Sequence, residues 1–422
     1  MKNFFILQML LILTALGVPA QSAVNPSRGI FYISPNGKDS NSGTSPSDPF
    51  RSFERAQSAM QHSSADKKIA YVMGGVYQLS AGLRLTPKDE GESWLGYPGQ
   101  TPILDGGNAV EKAISINGKN ITIRWLTIQN FTHMGIFSQS SQNILIDSEA
   151  IKNIKGNGWN QGGIVTFNNF ENGIISHNRI ENSGYAGIMC ATSASDDISN
   201  LKIDSNVVYN TCFRVNDCGG IYADDRGHRS KNITISNNII GNYGNKSTPW
   251  AKAIYLDDHL SNTIVKNNIV FGSGGNWAIQ FHGGNHNTVE NNIFDISGAG
   301  TLGIYQDDGR NVINHGMTGN VFACNIVYSS AVPPSVLWRF SKTVELPDVN
   351  DNLYWDTQGA MPNSGDIVDR HPIFLDPQFV NPGQGNYNLT DPSMMEKLEF
   401  CHDFKPIDVR HVGPLPNLKE KA

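Results

Sequence analysis

The stretch Ile233-Thr-Ile-Ser-Asn-Asn238-Ile-Ile240 contains the pattern that decides the fold. Apolar and polar residues alternate for a few positions, an asparagine follows, and a second short apolar strand begins directly after it. The same pattern returns along the chain, and the intervals between its final asparagines are 28, 32, 30, 24 and 33 positions. These asparagines are Asn178, Asn206, Asn238, Asn268, Asn292 and Asn325.

A second family of strands lies between these segments, each built around one isoleucine, and no repeat contains a segment of helical period. One such unit cannot bury its apolar side alone, whereas stacked units share a continuous core. The pattern therefore predicts an all-β protein, a right-handed single-stranded parallel β-helix. Stacking at ~4.8 Å would align the asparagines in an internal ladder with a structural role. The central isoleucines are Ile136, Ile164, Ile188, Ile221, Ile254, Ile279 and Ile304.

The ends of such a solenoid need covers, because a bare end exposes core and strand edges. The segment from Phe50 to Gln61 is predicted to be a short helix that caps the first coil. We predict one domain over residues 24–422, with core coils over about 100–330 and an irregular C-terminal segment over 331–422.

Residues 1–23 have the pattern of a secretory signal. A lysine stands at position 2, an apolar run extends from Phe4 to Val18, and small residues end at Ala23. The run is short for a membrane span of ~20 residues, and no later segment is apolar enough to span. We therefore predict a monomer without a membrane span that is exported to the periplasm or the cell exterior.

The charge balance and the cysteines limit the function classes. The formal net charge is −6, with 32 basic and 38 acidic residues, which does not support binding to nucleic acid or to an anionic membrane.

Five cysteines are present. Cys212 and Cys218 are close enough to pair in an oxidising compartment, and buried free thiols are the alternative. No motif for nucleotide, haem or zinc is found.

The outward positions of the isoleucine strands form the candidate site. With a period of two, the residues one and three positions after each isoleucine face solvent. Three coils then present an Asp-Asp pair after a tyrosine, Asp224-Asp225, Asp257-Asp258 and Asp307-Asp308, and a fourth places His282 in the same column. Trp250 and Trp277 precede two of these strands. The sequence predicts an acidic strip flanked by aromatic rings.

This strip favours carbohydrate chemistry. Stacked aspartates repel each other unless a proton, a cation or a substrate compensates, and flat aromatic faces suit sugar rings. Glycoside hydrolysis needs one carboxyl as acid and one as base or nucleophile, and carboxyls on adjacent coils would lie ~5 Å apart, the separation typical of retention. We predict that Asp224, Asp257 and Asp258 are catalytic, with the acid and base roles left open. The predicted substrate-binding residues are Tyr222, Asp225, Arg226, His228, Trp250, Tyr255, His282, Tyr305 and Asp307.

Two other interpretations of the aspartates remain open. An Asp at the end of a strand commonly bonds its own backbone, so one member of each pair could be a turn residue. Stacked carboxylates are also natural ligands of calcium. The hydrolase hypothesis needs no cofactor.

The segment Ala253-Ile254-Tyr-Leu-Asp257-Asp258 and its continuation to Asn292 resemble bacterial β-helix carbohydrate-active proteins. The resemblance is to glycoside hydrolase family 141, which includes fucosidase- and xylanase-type enzymes, and to related pectate-lyase-like β-helix proteins. Phe31–Gly43 and Asp351–Asp356 extend this resemblance along most of the chain. It implies a pair of catalytic aspartates from successive coils, with Asp257 as the better match and Asp224 as the second.

Two competing functions use the same fold. A polysaccharide lyase or uronate C5-epimerase must neutralise a carboxylate with calcium or arginine and remove an α-proton with a base. A non-catalytic glycan-binding β-helix would keep the aromatic row but would have no need of paired carboxylates. Basic residues near the strip could serve the first alternative, namely Arg214, Arg226, His228, Arg229 and Lys252.

Overall fold

Three strands recur in almost every turn of the chain, because each repeat contains short apolar runs separated by tight turns. The computed structural model describes residues 29–274, 277–298, 301–306, 317–330, 336–340, 345–358, 369–391, 393, 401, 404 and 407–418. In these residues the strands stack in parallel register, ten in one column and twelve in each of two others. The predicted signal segment and Asp307 lie outside the described residues.

The strands form three columns along the solenoid, named here the front, ladder and back columns. The front column contains β4 (Leu83–Leu85), β7 (Lys112–Ile116), β10 (Met134–Asp147), β12 (Gly162–Glu171), β15 (Ala186–Ala191), β18 (Cys218–Asp224), β21 (Ala251–Asp257), β24 (Trp277–His282), β27 (Thr301–Gln306) and β30 (Val336–Phe340). The ladder column contains β1 (Ile30–Ile33), β2 (Lys68–Val72), β5 (Glu92–Gly96), β8 (Lys119–Arg124), the second half of β10, β13 (Ile174–Ser176), β16 (Ile198–Asp204), β19 (Lys231–Ser236), β22 (Thr263–Lys266), β25 (Thr288–Glu290), β28 (Val321–Ala323) and β31 (Asp348–Asn350). The back column contains β3 (Gly75–Gln78), β6 (Pro102–Asp105), β9 (Thr127–Gln129), β11 (Ala150–Ile154), β14 (Arg179–Ser183), β17 (Val207–Thr211), β20 (Ile239–Tyr243), β23 (Ile269–Phe271), β26 (Ile293–Asp295), β29 (Ile326–Ser329), β32 (Leu353–Asp356) and β33 (Ile373–Phe374).

The asparagine ladder lies inside the turn between the ladder and back columns. Asn238 donates from Nδ2 to Oδ1 of Asn268 at 2.9 Å and to the carbonyl of Ile203 at 3.0 Å, and its own Oδ1 accepts from Asn206. The same bonds recur at the other predicted asparagines, which supports their structural role. Asn352 adds a seventh member that the sequence analysis missed, because its segment lacks the preceding apolar alternation.

The N-terminal end has the predicted cap. Helix α1 (Phe53–Gln61) begins after Ser52, whose side chain accepts a hydrogen bond from the backbone N–H of Arg55 at 3.2 Å. This is a normal N-cap, and it starts the helix three residues later than predicted. Phe53 and Met60 are buried against the first coils. The capping-helix prediction is therefore confirmed.

The register of the front column changes at β27. The predicted inward isoleucines up to Ile279 are fully buried and stack on one another. At the next coil, however, Ile279 pairs with Gly303, so that Ile304 faces outward and Tyr305 faces inward. The Tyr305 hydroxyl donates to the Met317 carbonyl at 2.8 Å inside the core. The predicted outward position of Tyr305 is wrong, because a one-residue shift exchanges the two faces of a strand.

The stacked strands extend beyond the predicted core range of about 100–330 in both directions. They begin at β1 and continue to β33, after which β34 (Phe379–Asn381) and β35 (Asn386–Leu389) pair antiparallel. The last described residues return along the side of the solenoid, where the backbone N–H of Gly413 donates to Ser205 and that of Gly99 to Asn417. Single 3₁₀ turns occupy Pro87–Asp89, Pro382–Gln384 and Val409–His411.

Two disulfides connect four of the five cysteines. Cys212 and Cys218 form a disulfide, so of the two alternatives for this pair, a disulfide or buried free thiols, the structure has the disulfide. Cys324 and Cys401 form a second bond across 77 positions, which spacing alone did not suggest. Cys190 is free and buried in the core. Among the described residues, no helix has the length and apolar character needed to cross a membrane.

Candidate functional site

A groove of about 650 Å³ lies over the outer face of the front column, on coils β15 to β24. Its floor is the row of outward side chains from the central strands, and its walls are the turns at both ends of these strands. The lining residues are Trp159, Asn160, Tyr185, Ala194, Asp217, Tyr222, Arg226, His228, Tyr255, Asp257, Asp258, His259 and His282.

Asp257 ends β21 and lies at the centre of the polar part of the groove. The Tyr222 hydroxyl donates to its Oδ2 at 2.7 Å, and His282 Nδ1 lies 2.5 Å from its Oδ1. Burial raises the pKa of Asp257, but the hydrogen bond and charge of His282 and the hydroxyls of Tyr222 and Tyr255 outweigh burial and lower it. Asp257 is therefore an ionised carboxylate over most of the pH range.

Asp224 occupies the equivalent position one coil earlier, directly opposite Asp257 in the strand register. Its side chain is fully buried, and its Oδ1 accepts from the backbone N–H of Thr192 at 2.6 Å. Burial raises the pKa of Asp224 to about 7, with help from the negative charges of Asp257 and Asp258, although Arg226 and Thr192 act in the opposite direction. Two carboxyls in register thus have pKa values shifted in opposite directions.

The hydroxyl of Tyr222 connects these two carboxyls. Its oxygen lies 3.2 Å from Oδ2 of Asp224 and 2.7 Å from Oδ2 of Asp257. Burial and both carboxylates raise the pKa of Tyr222, so the phenol keeps its proton. A phenol has one hydrogen to donate and can also accept, so a protonated Asp224 could donate to it while it donates to Asp257.

Arg226 and Asp258 form the outer part of the same cluster. Arg226 Nε lies 2.6 Å from Oδ2 of Asp258, and its Nη2 lies 3.5 Å from Oδ2 of Asp224. His282 Nδ1 lies 3.8 Å from Oδ1 of Asp258. One ligand atom each from Asp257, Asp258 and His282 lies within 4.8 Å of the other two. This spacing could hold a divalent cation, which keeps the calcium alternative open.

Several predicted site residues lie elsewhere. Asp225 is buried and its Oδ2 accepts from the backbone N–H of Ser230 at 2.7 Å, so Asp225 is the turn residue of its pair. Trp250 is 55% exposed but does not line the groove. Tyr305 lies in the core for the register reason given above. His228 does line the groove, with its ring 4.3 Å from that of His259.

Most of one wall was not predicted from the sequence. Trp159 and Asn160 come from the loop between β11 and β12, and Asp217 directly precedes β18. The alternation of strands gave no information on them because they lie in loops outside the repeat. A tryptophan within the glycine- and asparagine-rich stretch Gly156-Asn-Gly-Trp159-Asn160 was the available signal.

Comparison with a protein-family model identifies the same architecture. Residues 112–294 match the family described as "Right handed beta helix region". The fold is a right-handed parallel β-helix, as predicted. No curated protein matches the chain.

Solved structures of similar fold cover most of the chain at low sequence identity. XylC in complex with xylose is 12% identical, with a TM-score of 0.52 over 83% of this chain and 87% of XylC. A GH136 lacto-N-biosidase from Eubacterium ramulus is 12% identical, with a TM-score of 0.56 over 82% of this chain and 67% of the biosidase. A PL6 polysaccharide lyase from Pseudopedobacter saltans is 10% identical, with a TM-score of 0.51 over 85% of this chain and 97% of the lyase. Identities this low show a shared fold only.

Proposed function

We propose that this β-helix is a carbohydrate-active enzyme, specifically a glycoside hydrolase that works in the groove over β18, β21 and β24. The observation that carries the proposal is the pair Asp224 and Asp257, in register on adjacent coils, with pKa values shifted in opposite directions and one hydroxyl between them. A pair of carboxyls held in different protonation states is the requirement for acid and base catalysis of glycosidic bond cleavage.

The proposed division of labour follows from exposure. Asp257 and Asp258 line the groove and can contact a substrate, whereas Asp224 has no exposed surface. Asp224 therefore acts as a positioning and proton-holding residue behind Asp257, through the Tyr222 hydroxyl. In the reaction the proton held by Asp224 reaches the departing glycosidic oxygen through the Tyr222 hydroxyl and Asp257. Asp258 assists formation of the new bond at the anomeric carbon, and water supplies the new hydroxyl and returns the proton to the carboxyl pair.

The similar structures support the substrate class. A lacto-N-biosidase, a polysaccharide lyase and a xylose complex share this fold, and all three are named for carbohydrate. The resemblance to glycoside hydrolase family 141 and the export of the chain stay predictions.

A cation-assisted lyase or epimerase acting on a uronate is the second candidate. It is favoured by the cluster of Asp257, Asp258 and His282, and by Arg226 beside it. A cation there would neutralise the repulsion between the carboxylates and would attract the carboxylate of a uronate. The groove would then need a base to remove the α-proton, for which its histidines are candidates.

The deciding experiment is product analysis on neutral and uronate-containing glycans, with and without a chelator. We expect new reducing ends without the ultraviolet absorbance of an unsaturated sugar, no effect of the chelator, and loss of activity in Asp257→Asn. Asp204→Asn is the matched control. Asp204 is similarly buried, and its pKa is also lowered despite burial, by the hydrogen bond from Ser236 among others. Unlike Asp257, however, Asp204 ends a strand of the ladder column. An unsaturated product that the chelator abolishes would establish the lyase instead.

A further inference from the structure

We propose that the groove wall formed by the 155–161 and 212–218 loops is a binding subsite for one neutral hexose or pentose ring, with Trp159 as its platform. This inference rests on the proposed function, because it takes the groove to be a carbohydrate site. It concerns a wall at the opposite end of the strands from Asp224, Asp257 and Asp258.

Trp159 is the first observation. Its side chain is 73% exposed although it lines the groove, whereas large aromatic residues are normally mostly buried. An exposed indole at the edge of a concave site offers a flat apolar face, which the C–H face of a sugar ring can cover. Asn160 follows it in the same wall and supplies an amide donor and acceptor for hydroxyl groups.

The loop that carries Trp159 is held in place by its neighbours. The Arg214 guanidinium donates to Oδ1 of Asn157 at 3.1 Å, and the backbone N–H of Gly158 donates to Oε1 of Gln161 at 3.2 Å. The bond between Cys212 and Cys218 closes the loop that contains Arg214. A platform held this way loses little entropy when it binds a ligand.

The charges of this wall favour a neutral ring over a uronate. Asp217 also lines the wall, and its Oδ1 accepts from Lys252 Nζ at 2.7 Å. Lys252 itself is 1% exposed, and its Nζ lies 3.8 Å from the centre of the Tyr255 ring. Its positive charge is therefore paired and covered within the wall and is not presented to a ligand.

The cationic groups that do line the groove are at its other end. Asp217 precedes β18 and Arg226 follows it, so the two walls lie at opposite ends of the same seven-residue strand. Among the residues that line the groove at the Trp159 wall, a carboxylate-bearing sugar would meet the Asp217 carboxylate. The nearby Arg214 guanidinium donates to Asn157 and is not among the lining residues. A neutral sugar would meet an aromatic face and hydrogen-bonding groups.

The test is affinity electrophoresis in native gels that contain xylan, mixed-linkage glucan, polygalacturonate or alginate, with Asp257→Asn as the background to prevent cleavage. We expect retardation by at least one neutral polymer, and we expect Trp159→Ala to weaken binding by ~10-fold or more. Trp250→Ala is the matched control, since Trp250 is exposed but does not line the groove, and it should bind as the background does. Trp159→Phe, which keeps a smaller ring, should fall between the two.

Equal retardation of Trp159→Ala and its background would overturn the subsite. So would retardation by the uronate polymers alone, or the absence of retardation by both neutral polymers. The proposed function can fail separately: neutral-polymer retardation that depends on Trp159, in a protein that cleaves none of the glycans tested, would leave a binding subsite without the hydrolase.

Discussion

The asparagine ladder and the aspartate pair are built on the same coil spacing but have opposite properties. In the ladder, Asn238 donates to Asn268 and accepts from Asn206, and each amide from Asn178 to Asn325 donates to the next asparagine along the solenoid. At the groove, Asp224 and Asp257 occupy equivalent positions in the same way, but neither can bond the other while both are ionised. Their donors are therefore other types of residue and not copies of themselves.

The difference follows from the chemistry of the two side chains. An amide carries both a donor and an acceptor, so a stack of identical amides satisfies itself, whereas a carboxylate only accepts. Stacked carboxylates therefore recruit other groups, here Tyr222, His282 and Arg226, or retain a proton. Repetition gives stability where the repeated group is self-complementary, and it gives perturbed, reactive groups where it is not.

The comparison can be tested by replacing a groove carboxylate with an amide, and a ladder amide with a carboxylate. Of these replacements, Asp257→Asn should have the largest effect. The amide keeps the shape but cannot hold a negative charge or transfer a proton, so activity should fall by about 10³-fold or more. The melting temperature should change little, because the amide also lacks the repulsion with Asp224. Steady-state kinetics and thermal melting measure the two effects, and activity within ten-fold of wild type would remove Asp257 from catalysis.

The reverse exchange, Asn238→Asp, should destabilise the fold. The carboxylate loses both Nδ2 donors and buries a charge beside the oxygens of Asn268 and Ile203, at a cost of roughly 3–5 kcal/mol in the free energy of unfolding. The loss should be smaller at acid pH, where the protonated group can donate.

Denaturant titration of Asn238→Asp should be set beside Asn232→Asp. Asn232 also donates to an asparagine of the neighbouring coil, Asn200, at 2.9 Å, but it lies at the surface. Its replacement should cost less than about 1 kcal/mol. Equal losses for the two variants would contradict the role given to burial.

Asp224→Asn tests whether the buried carboxyl holds a proton that catalysis uses. Since burial raises its pKa to about 7, wild-type activity should decline as the pH rises through about 7 and Asp224 loses its proton. The asparagine variant should lose ~10²-fold in kcat and should also lose this alkaline decline. A variant with lower activity but an unchanged pH profile would assign the decline to another group.

Glu149→Gln should have the smallest effect. It tests whether a buried carboxyl at the end of the asparagine ladder also destabilises the fold when it is ionised. The backbone N–H of Glu149 donates to Oδ1 of Asn178, the first asparagine, and its side chain is fully buried. Burial raises the pKa of Glu149 well above its ordinary value of 4.5, so the stability of the folded state is fully present below that value and declines as the pH rises. The neutral amide should remove this decline and add about 1 kcal/mol at pH ~8.

Melting curves at about pH 5 and about pH 8 measure the Glu149→Gln effect. The gain over wild type should be larger at the higher pH. A gain of the same size at both pH values would show that ionisation of Glu149 is not its cause.

The local pattern predicted the columns well and the groove only in part. Alternation with a period of two identified the inward isoleucines and the outward Asp224 and Asp257, because strand faces follow from neighbouring residues alone. It failed at Tyr305, where Ile279 pairs with Gly303. Alternation within a strand does not determine which residue of the next coil lies opposite. The buried Tyr305 is tolerated because its hydroxyl donates a hydrogen bond inside the core.

The sequence by itself determined the repeating architecture, since periodic apolar residues and recurring asparagines have one stable arrangement, a stacked parallel solenoid. Only the tertiary structure decided which polar residues form a site. The wall with Trp159 and Asp217, the burial of Asp224 and the turn role of Asp225 depend on loops whose course is set by contacts within the turns and between neighbouring coils. Those contacts lie outside the repeat, so no local period encodes them.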